Sequence, residues 1–362
     1  MNKATVNNWL KEAITEVPSS FKGEHSWQSP SNIALVKYWG KHGNQLPNNP
    51  SISLTLSESK SETSIKYQQH TGNQPVLKFY FEGKENTAFG EKIFRFLQSI
   101  TDYFPFLNQL ALTISSKNTF PHSSGIASSA SAMSALVMCI LDLENKLKND
   151  NTIDLQKASY FSRLGSGSAS RSLFSTAALW GKTNFLAESA DEYAIPIKQS
   201  IHPVFNSYYD SILIVDGGTK SVSSRAGHAL MDNNPYANIR YAEANKHTQE
   251  LFRCMQSGDL DSFIQITEAE ALQLHALMMT SNPAYILMQP NSLKAINAIR
   301  NFRLETKVPL CFTLDAGPNI HLLYPASERE KVLSFLQSEL LDLCANKLWI
   351  DDKTGNGSSK IN

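Results

Sequence analysis

The 362-residue chain lacks several features that mark large functional classes. Its 33 basic and 33 acidic residues cancel, so no excess charge favours nucleic acid or an anionic membrane surface as the main partner. No apolar run is long enough to cross a membrane, and the first ten residues lack the continuous apolar segment of a signal peptide. We therefore expect a cytoplasmic protein with no nucleic-acid and no membrane partner, although a local basic pocket is compatible with zero net charge.

Cysteine is scarce as well. Cys139, Cys254, Cys311 and Cys344 lie far apart in apolar surroundings, which is typical of buried free thiols in a reducing compartment. No pair has the spacing of zinc ligands, and the nine histidines form no closely spaced cluster. Both observations disfavour a structural transition metal.

The most distinctive segment that is present consists of small residues. Ten of the twelve residues from Ser123 to Ser134 are Ser, Gly or Ala, and an apolar helical pattern follows directly. Such a segment lets backbone N–H groups at a helix start approach a phosphate. A small-residue helix start packed against a sheet explains the composition equally well. The G-x4-G-K-[ST] pattern is absent, which excludes the common P-loop.

Individual residues in this segment suit a nucleotide. Pro121 and Gly125 can fix and bend the loop, while Ser128, Ser129 and Ser131 offer hydroxyl groups to phosphate or magnesium.

Basic residues follow an apolar run near the N-terminus. Residues 31–41 predict a buried strand that breaks at Gly40 and brings Lys37, Tyr38 and Lys41 to its end. Lysines beside a buried run indicate an anionic ligand unless both reach solvent, and spacing alone favours solvent.

A single arginine, Arg171, stands among the small residues 165–172. Neighbours this small leave its guanidinium accessible to a carboxylate or phosphate at close range. A flexible surface linker is the alternative, but the apolar residues that follow favour an ordered, partly buried segment.

Two further segments carry candidate residues. Residues 220–228 set Arg225 and His228 in a basic, hydroxyl-rich turn, which a solvated loop explains at least equally well. Asp315 follows a buried strand in the turn 315–319, where a hairpin is the plain structural interpretation. A carboxylate placed there is also a candidate base or hydroxyl-orienting group.

The remaining pattern predicts two domains. Alternating segments and helical periods predict a largely antiparallel sheet with helices before residue 205, and three long core helices follow in the second half. The polar tail 351–360 is expected to be mobile.

Five motifs together resemble the GHMP kinase superfamily and, within it, the diphosphomevalonate decarboxylase family. Residues 121–130 match the superfamily pattern P-x3-G-[LI]-x-S-S-A. The segments NIALVKYWGK, GSGSASRS, VSSR and DAGPN are similar to the decarboxylases; they begin at residues 32, 165, 222 and 315. The motifs keep the family's order, and the resemblance spans nearly the whole chain except its N-terminal extension.

The resemblance implies a two-domain α+β fold of the GHMP kinase type with the active site in the interdomain cleft. Residues 1–28 would be an N-terminal extension, 29–205 the N-terminal ATP-binding domain and 206–362 the C-terminal domain. It also implies ATP, Mg²⁺ and a small-molecule substrate: in this family ATP phosphorylates the tertiary hydroxyl of 5-diphosphomevalonate, and phosphate and carbon dioxide then leave. The sequence leaves a homodimer open.

The resemblance also implies roles for the candidate residues. Asp315 would orient or deprotonate the hydroxyl, Arg171 would hold the substrate carboxylate, and Lys37 would steady charge at the reacting centre. The loop with Pro121 and Gly125 would hold ATP, with Ser128 and Ser129 on its phosphates and magnesium. The residues expected to bind the substrate and its diphosphate are Tyr38, Lys41, Ser166, Ser168, Arg225 and His228.

Two residues depart from the family pattern. Ser170 stands where the family usually has Cys, a nearly isosteric change, and His228 stands where Met is usual, beside the diphosphate site. A kinase or decarboxylase acting on mevalonate or phosphomevalonate is therefore the first alternative. A non-catalytic binding protein is the second, and the presence of Lys37, Arg171 and Asp315 argues against it.

Overall fold

The computed structural model describes residues 3–121, 126, 128–218 and 222–361. Its helices are α1 (Lys3–Lys11), α2 (Thr87–Ser99), α3 (Ser128–Lys148), α4 (Leu155–Gly165), α5 (Ser224–Ala229), α6 (Ala237–Ser257), α7 (Leu260–Met279), α8 (Pro290–Thr306) and α9 (Arg329–Phe335). Its strands are β1 (Lys22–Ala34), β2 (Lys41–His42), β3 (Leu46–Pro47), β4 (Ser51–Gln69), β5 (Val76–Phe81), β6 (Lys84–Glu85), β7 (Leu110–Asn118), β8 (Ala177–Trp180), β9 (Ala194–Pro196), β10 (Tyr208–Leu213), β11 (Cys311–Thr313), β12 (Ile320–Pro325), β13 (Trp349–Lys353) and β14 (Ser359–Lys360).

The larger sheet is built around β4. Its strand order is β14-β1-β4-β7-β5-β6, and β8 with β9 pairs against the first residues of β4. The first six residues of β4 are all buried, whereas the rest alternate between buried and more exposed positions. This change shows that the start of β4 is covered on both faces and that its end has one face toward solvent. Helix α3 packs on β1 and β4, with the apolar side chains of residues 135–143 in the core.

The smaller sheet has the order β11-β12-β10-β13 and packs against α7 and α8. One apolar core joins the two sheets, since Ile33 and Leu54 lie in the same buried cluster as Ile212 and Phe263. Asp352 of β13 adds a polar link: its carboxylate accepts 2.8 Å hydrogen bonds from the backbone N–H groups of residues 57–59 on β4.

Strand β1 differs from the predicted strand over 31–41. It begins at Lys22 and ends at Ala34, so residues 22–28 of the proposed extension form part of the larger sheet. After Ala34 the regular ladder stops, because the N–H groups of Leu35 and Val36 both bond to the carbonyl of Ile52. Lys37 therefore lies in the segment after the strand.

The C-terminal tail is ordered, contrary to the prediction of mobility. Strand β14 pairs with β1, and the backbone of Gly355 bonds to Thr55 and Thr176. A Cβ added at Gly357 would lie 2.0 Å from the carbonyl oxygen of Leu173, so this close approach requires glycine.

Side chains also hold the tail. Asp142 of α3 accepts hydrogen bonds from Trp27 Nε1 at 3.0 Å and pairs with Lys360 at 2.8 Å and with His25 at 2.9 Å. Burial alone would raise the pKa of the Asp142 carboxyl, but its bonds to His25, Lys360 and Trp27 together outweigh burial and lower that pKa.

Asp142→Asn is expected to lower the free energy of unfolding by about 2 kcal/mol at pH 7, because it removes charge-assisted hydrogen bonds. A folded-state pKa below the unfolded value of about 3.9 stabilises the protein above that pH, and the contribution is lost as the pH falls further. Urea unfolding at several pH values should show the two proteins converging below about pH 4. Asp342→Asn, at a 79% exposed side chain, is the control with no expected loss; a constant difference at every pH would contradict the assignment.

None of the helices in the described part of the chain combines the length and the apolarity that crossing a bilayer requires. The four cysteines are buried and free, as the sequence predicted.

Candidate active site

An ion pair between the two halves of the molecule lies at the centre of the site. Lys37 Nζ is 2.9 Å from Asp315 Oδ1 and also donates to the carbonyl of Ala34 at 2.6 Å. Lys37 is only 1% exposed, so the prediction from spacing that it reaches solvent is wrong. Burial lowers the pKa of its ammonium group, and Asp315 opposes that shift. The Asp315 side chain is 28% exposed, which leaves its carboxylate accessible to a ligand while the lysine lies behind it.

Asp315 is positioned by the turn between β11 and β12, which pair antiparallel as the predicted hairpin. His275 Nε2 lies 3.2 Å from the Asp315 carbonyl, and Ser292 Oγ donates to the carbonyl of Pro318 at 2.7 Å. Bonds from α7 and α8 therefore hold both ends of this turn.

Arg171 ends a short 3₁₀ helix, Gly167–Arg171, directly after α4. Its Nε donates to Asn32 Oδ1 at 3.2 Å and its Nη1 to Ser51 Oγ at 2.6 Å, and its guanidinium lies 5.8 Å from the ring centroid of Trp180. Arg171 is 2% exposed, so the ordered, partly buried segment that the sequence favoured is confirmed and the surface linker is wrong.

The three charged groups share one electrostatic site. Burial lowers the pKa of Arg171 to about 10, with Asp315 opposing the shift, so the guanidinium stays charged at neutral pH. Arg171 in turn lowers the pKa of Lys37. Two buried cations, Lys37 and Arg171, therefore interact electrostatically with one accessible carboxylate, an arrangement that suits an anionic ligand.

Aromatic rings line the site next to Arg171. Tyr38 contacts Trp180 edge-on at 4.7 Å between ring centroids and packs against His228 at 4.4 Å. A Cβ added at Gly167 would lie 2.8 Å from Trp180 and 3.0 Å from the Tyr38 hydroxyl, so the glycine allows this close packing. Burial raises the pKa of the Tyr38 hydroxyl, which therefore stays protonated as a hydrogen-bond donor.

His228 is held in one neutral form. Its ring packs between Tyr38 and Trp39, and its Nδ1 accepts a 2.9 Å hydrogen bond from the backbone N–H of Gly40. Burial, helped by the charge of Lys41, lowers the pKa of His228 to about 3. Because Nδ1 is the acceptor, Nε2 carries the proton and remains a donor.

We expect His228 to stay neutral from pH 5 to pH 8. His228→Gln, whose side-chain oxygen can accept the Gly40 bond, should therefore leave the shape of the pH profile of kcat/KM unchanged over this range. A limb near pH 6.5 that appears in the wild type and disappears in the variant would contradict the neutral assignment.

Other predicted substrate residues surround this aromatic group. Lys41 is half-buried and donates to Gln45 Oε1 at 2.7 Å; its pKa is lowered by burial and by Arg225. Arg225 is exposed on α5. Ser166 and Ser168 flank Gly167 and are partly exposed, and the Ser168 carbonyl accepts from Asn32 at 3.2 Å.

The start of α3 fits a phosphate group. The helix begins at Ser128, which is partly exposed; Ser129 is exposed, and so is Pro121 before the helix. Ile126, two residues before the helix, is tied to β1 by Ser31 Oγ, which donates to its carbonyl at 3.1 Å. Exposed hydroxyls at the start of a long helix suit a phosphate with its magnesium ion. Gly125, the other predicted nucleotide residue, lies outside the described residues.

The sequence did not identify several residues that shape the site. Asn32, Ser51 and Trp180 hold Arg171 but lie inside strand patterns, where their type gives no functional signal. The helices α6 and α7 were expected to supply core rather than chemistry, yet Glu270 of α7 accepts a 2.8 Å hydrogen bond from the backbone N–H of Lys37. The only signal in the sequence would have been an acidic residue at a position of the helical pattern that is expected to be buried.

Comparison with known proteins identifies the family. Residues 29–194 match the diphosphomevalonate decarboxylase-like N-terminal domain, and residues 211–356 match the mevalonate 5-diphosphate decarboxylase C-terminal domain. The chain belongs to the diphosphomevalonate decarboxylase family. The resemblance inferred from the motifs and the expected two-domain α+β GHMP kinase fold are both confirmed.

Individual diphosphomevalonate decarboxylases are similar to this chain over most of their length. The protein from Candida albicans is 30% identical over 321 residues, covering 85% of this chain and 86% of that protein. The Saccharomyces cerevisiae protein is also 30% identical, covering 85% and 79%. A solved structure of MDDEF in complex with MVAPP, AMPPCP and magnesium is 26% identical with a TM-score of 0.81, covering 94% of this chain and all of that one. The Staphylococcus aureus mevalonate diphosphate decarboxylase is 25% identical with a TM-score of 0.82, covering 94% and 99%.

Proposed function

We propose that this protein catalyses the ATP-dependent decarboxylation of 5-diphosphomevalonate to isopentenyl diphosphate, with release of ADP, phosphate and carbon dioxide. The observation that carries the proposal is the accessible Asp315 carboxylate paired at 2.9 Å with the buried Lys37, in the same electrostatic site as Arg171. The related solved complex contains MVAPP, AMPPCP and magnesium, which supports ATP and Mg²⁺ as the nucleotide and metal used here.

Asp315 is the proposed base. It would take the proton of the tertiary hydroxyl as that oxygen attacks the terminal phosphoryl group of ATP, and the adjacent Lys37 ammonium favours the charged carboxylate that this step needs. ATP supplies the phosphoryl group, and Mg²⁺ neutralises charge on its phosphates.

Arg171 is the proposed anchor of the substrate carboxylate. In the second step the bond from carbon to the transferred phosphate breaks, and phosphate leaves. The bond to the carboxylate carbon then breaks, its electron pair forms the new double bond, and carbon dioxide departs. A guanidinium fixed by Asn32 and Ser51 can hold the carboxylate in one orientation during both steps.

The remaining predicted residues have binding roles in this proposal. Lys41, Arg225 and the Nε2–H of His228 would face the diphosphate, with Tyr38, Ser166 and Ser168 along the rest of the substrate. Ser128 and Ser129 would meet the ATP phosphates and magnesium in a loop shaped by Pro121 and Gly125. The contacts of Tyr38 with His228, the electrostatic interaction of Lys41 with Arg225 and the position of Ser128 and Ser129 at the start of α3 support these assignments.

We also propose the domain bounds, the cellular location and the assembly to be tested. We place the domains at residues 29–205 and 206–362 after an N-terminal segment 1–28, and the matched family ranges support a division between 194 and 211. We further propose a cytoplasmic location and leave a homodimer as the assembly to test by light scattering on the purified protein.

The experiment compares three substrates with ATP and magnesium: mevalonate, 5-phosphomevalonate and 5-diphosphomevalonate. We expect the highest kcat/KM by far with the diphosphate and carbon dioxide release with that substrate. ADP formation without carbon dioxide would make the protein a kinase. Turnover only of a less phosphorylated substrate would contradict the proposal that Lys41, Arg225 and His228 bind a diphosphate.

A further inference from the structure

Two buried residues of the C-terminal half bind the backbone of Lys37 on both sides. Glu270 Oε2 of α7 accepts the Lys37 N–H at 2.8 Å, and Arg240 Nη2 of α6 donates to the Lys37 carbonyl at 3.2 Å. The same two residues form an ion pair at 2.5 Å. The Lys37 peptide groups therefore bond directly to a charged pair on two packed helices.

The charged pair is fully enclosed. The Glu270 side chain is 0% exposed and the Arg240 side chain 3%, and His247 Nδ1 lies 2.6 Å from Glu270 Oε1. Burial by itself would raise the pKa of Glu270, but Arg240 and His247 outweigh it and lower that pKa, so the carboxylate is charged. Removing two charges from water costs free energy that an apolar pair would not cost. The presence of this buried ion pair is therefore weak evidence that it stabilises the fold. Holding neighbouring groups in one geometry is another role that such a pair can have.

The position of the bonds suggests that role. Lys37 lies beyond the end of β1, where the sheet ladder no longer fixes the backbone. The ion pair and Asn49 Nδ2, which donates to the Lys37 carbonyl at 3.1 Å, replace the ladder at this residue. The ammonium of Lys37 meets Asp315 only if this backbone is held in place, since Lys37 follows a strand of the larger sheet and Asp315 lies in a turn between two strands of the smaller one.

We propose that Glu270 and Arg240 are positioning residues that hold Lys37 against Asp315 and thereby assemble the reactive centre when the two halves meet. The inference rests on the proposed function, because it assumes that Lys37 and Asp315 act in the reaction. In this proposal neither Glu270 nor Arg240 contacts the substrate, and both act through Lys37.

The charge of Glu270 has a second consequence. Among the described residues, the ionisable groups that interact with Lys37 are Asp315, Glu270, Arg171, Arg240 and Asp210. Glu270 raises the pKa of the Lys37 ammonium, so its neutralisation lowers that pKa further. A lysine with a lowered pKa loses its proton at lower pH, and the alkaline limb of the activity profile moves the same way.

Glu270→Gln tests the inference, and Glu268→Gln is its matched control. Glu268 lies two residues earlier on α7, is also buried, and pairs with Arg303 at 2.5 Å without a bond to Lys37. We expect Glu270→Gln to lower kcat roughly 100-fold with little change in KM for ATP, as a small misplacement of a reacting group does. Its alkaline limb should move to lower pH. Glu268→Gln should lose stability but keep the kcat and the pH profile of the wild type.

A second measurement separates this inference from the proposed function. Hydrogen exchange read by mass spectrometry reports the Lys37 N–H whether or not the protein turns over any substrate. We expect faster exchange in the peptide containing Lys37 in Glu270→Gln and wild-type exchange there in Glu268→Gln. If Glu270→Gln does not fold, the double variant Arg240→Gln, Glu270→Gln removes both charges together and takes its place.

The kinetic and exchange measurements distinguish a failure of the proposed function from a failure of the positioning role. A wild type without turnover on any of the three substrates overturns the proposed function, while faster exchange at Lys37 still supports the positioning role. Equal kcat, pH profile and Lys37 exchange in the Glu270 and Glu268 variants would overturn the positioning role even if the wild type is an active decarboxylase.

Discussion

Asp315→Asn is expected to lower kcat by about 1,000-fold, because general-base assistance contributes roughly 100- to 10,000-fold. The amide keeps the shape of the side chain and can still accept the 2.9 Å bond from Lys37 Nζ, but it cannot take a proton from the substrate hydroxyl. KM for ATP should change little, since Asp315 lies on the turn of the C-terminal half rather than at the start of α3. Steady-state kinetics with 5-diphosphomevalonate measures this effect.

Asp342→Asn is the control for loss of a carboxylate, because its side chain is 79% exposed and pairs only with the exposed Lys347 in the described part of the chain. It should keep wild-type kcat. If Asp315→Asn is folded by circular dichroism and retains most of its activity, Asp315 is not the base.

Arg171→Lys is the second substitution from which we expect a large loss of activity. Lysine keeps the positive charge but cannot make the forked bonds to Asn32 and Ser51, so the cation loses its fixed orientation. We expect kcat/KM for 5-diphosphomevalonate to fall about 100- to 1,000-fold, the range found when one oriented donor is removed from an active site. The kinetics should be measured with ATP saturating, so that the loss is assigned to the substrate carboxylate.

Arg163→Lys is the matched control for this variant. Arg163 on α4 is also 2% exposed, but its guanidinium donates to the backbone carbonyls of Asn44 and Glu192. It should reduce stability by a similar amount with a much smaller effect on kcat/KM. Equal losses of kcat/KM in both variants would show that Arg171 acts only through the fold.

The residues of the charged centre could be named as candidates from the sequence because they stand in unusual neighbourhoods, whereas their roles in the reaction came only from the family resemblance. Lys37 follows an apolar run, Arg171 lies among Ser, Gly and Ala, and Asp315 ends a buried strand. Such positions are costly for a charge unless a partner or ligand meets it. The distances, and the pairing of Lys37 with Asp315 across 278 positions, depend on how the sheets pack and needed the structure.

The positioning residues could not be predicted for the opposite reason. Glu270, Arg240 and His247 lie within long helices, where polar side chains at helical spacing usually face solvent. Their burial follows from the packing of α6 on α7 and of both against the segment after β1.

The wrong prediction for the tail has a similar cause. A polar composition with Gly355 and Gly357 is typical of a mobile end, but these glycines allow the backbone to approach residues 55–57 and 173 closely. Backbone pairing with distant strands leaves no periodic signal in the tail itself.

ATP-dependent decarboxylation is tested most directly by incubating the wild-type protein with ATP, magnesium and 5-diphosphomevalonate labelled at its carboxylate carbon. We expect ADP, phosphate and labelled carbon dioxide to form in equal amounts and Asp315→Asn to suppress all three together. ADP formed without labelled carbon dioxide, or carbon dioxide released without ATP, would contradict this mechanism.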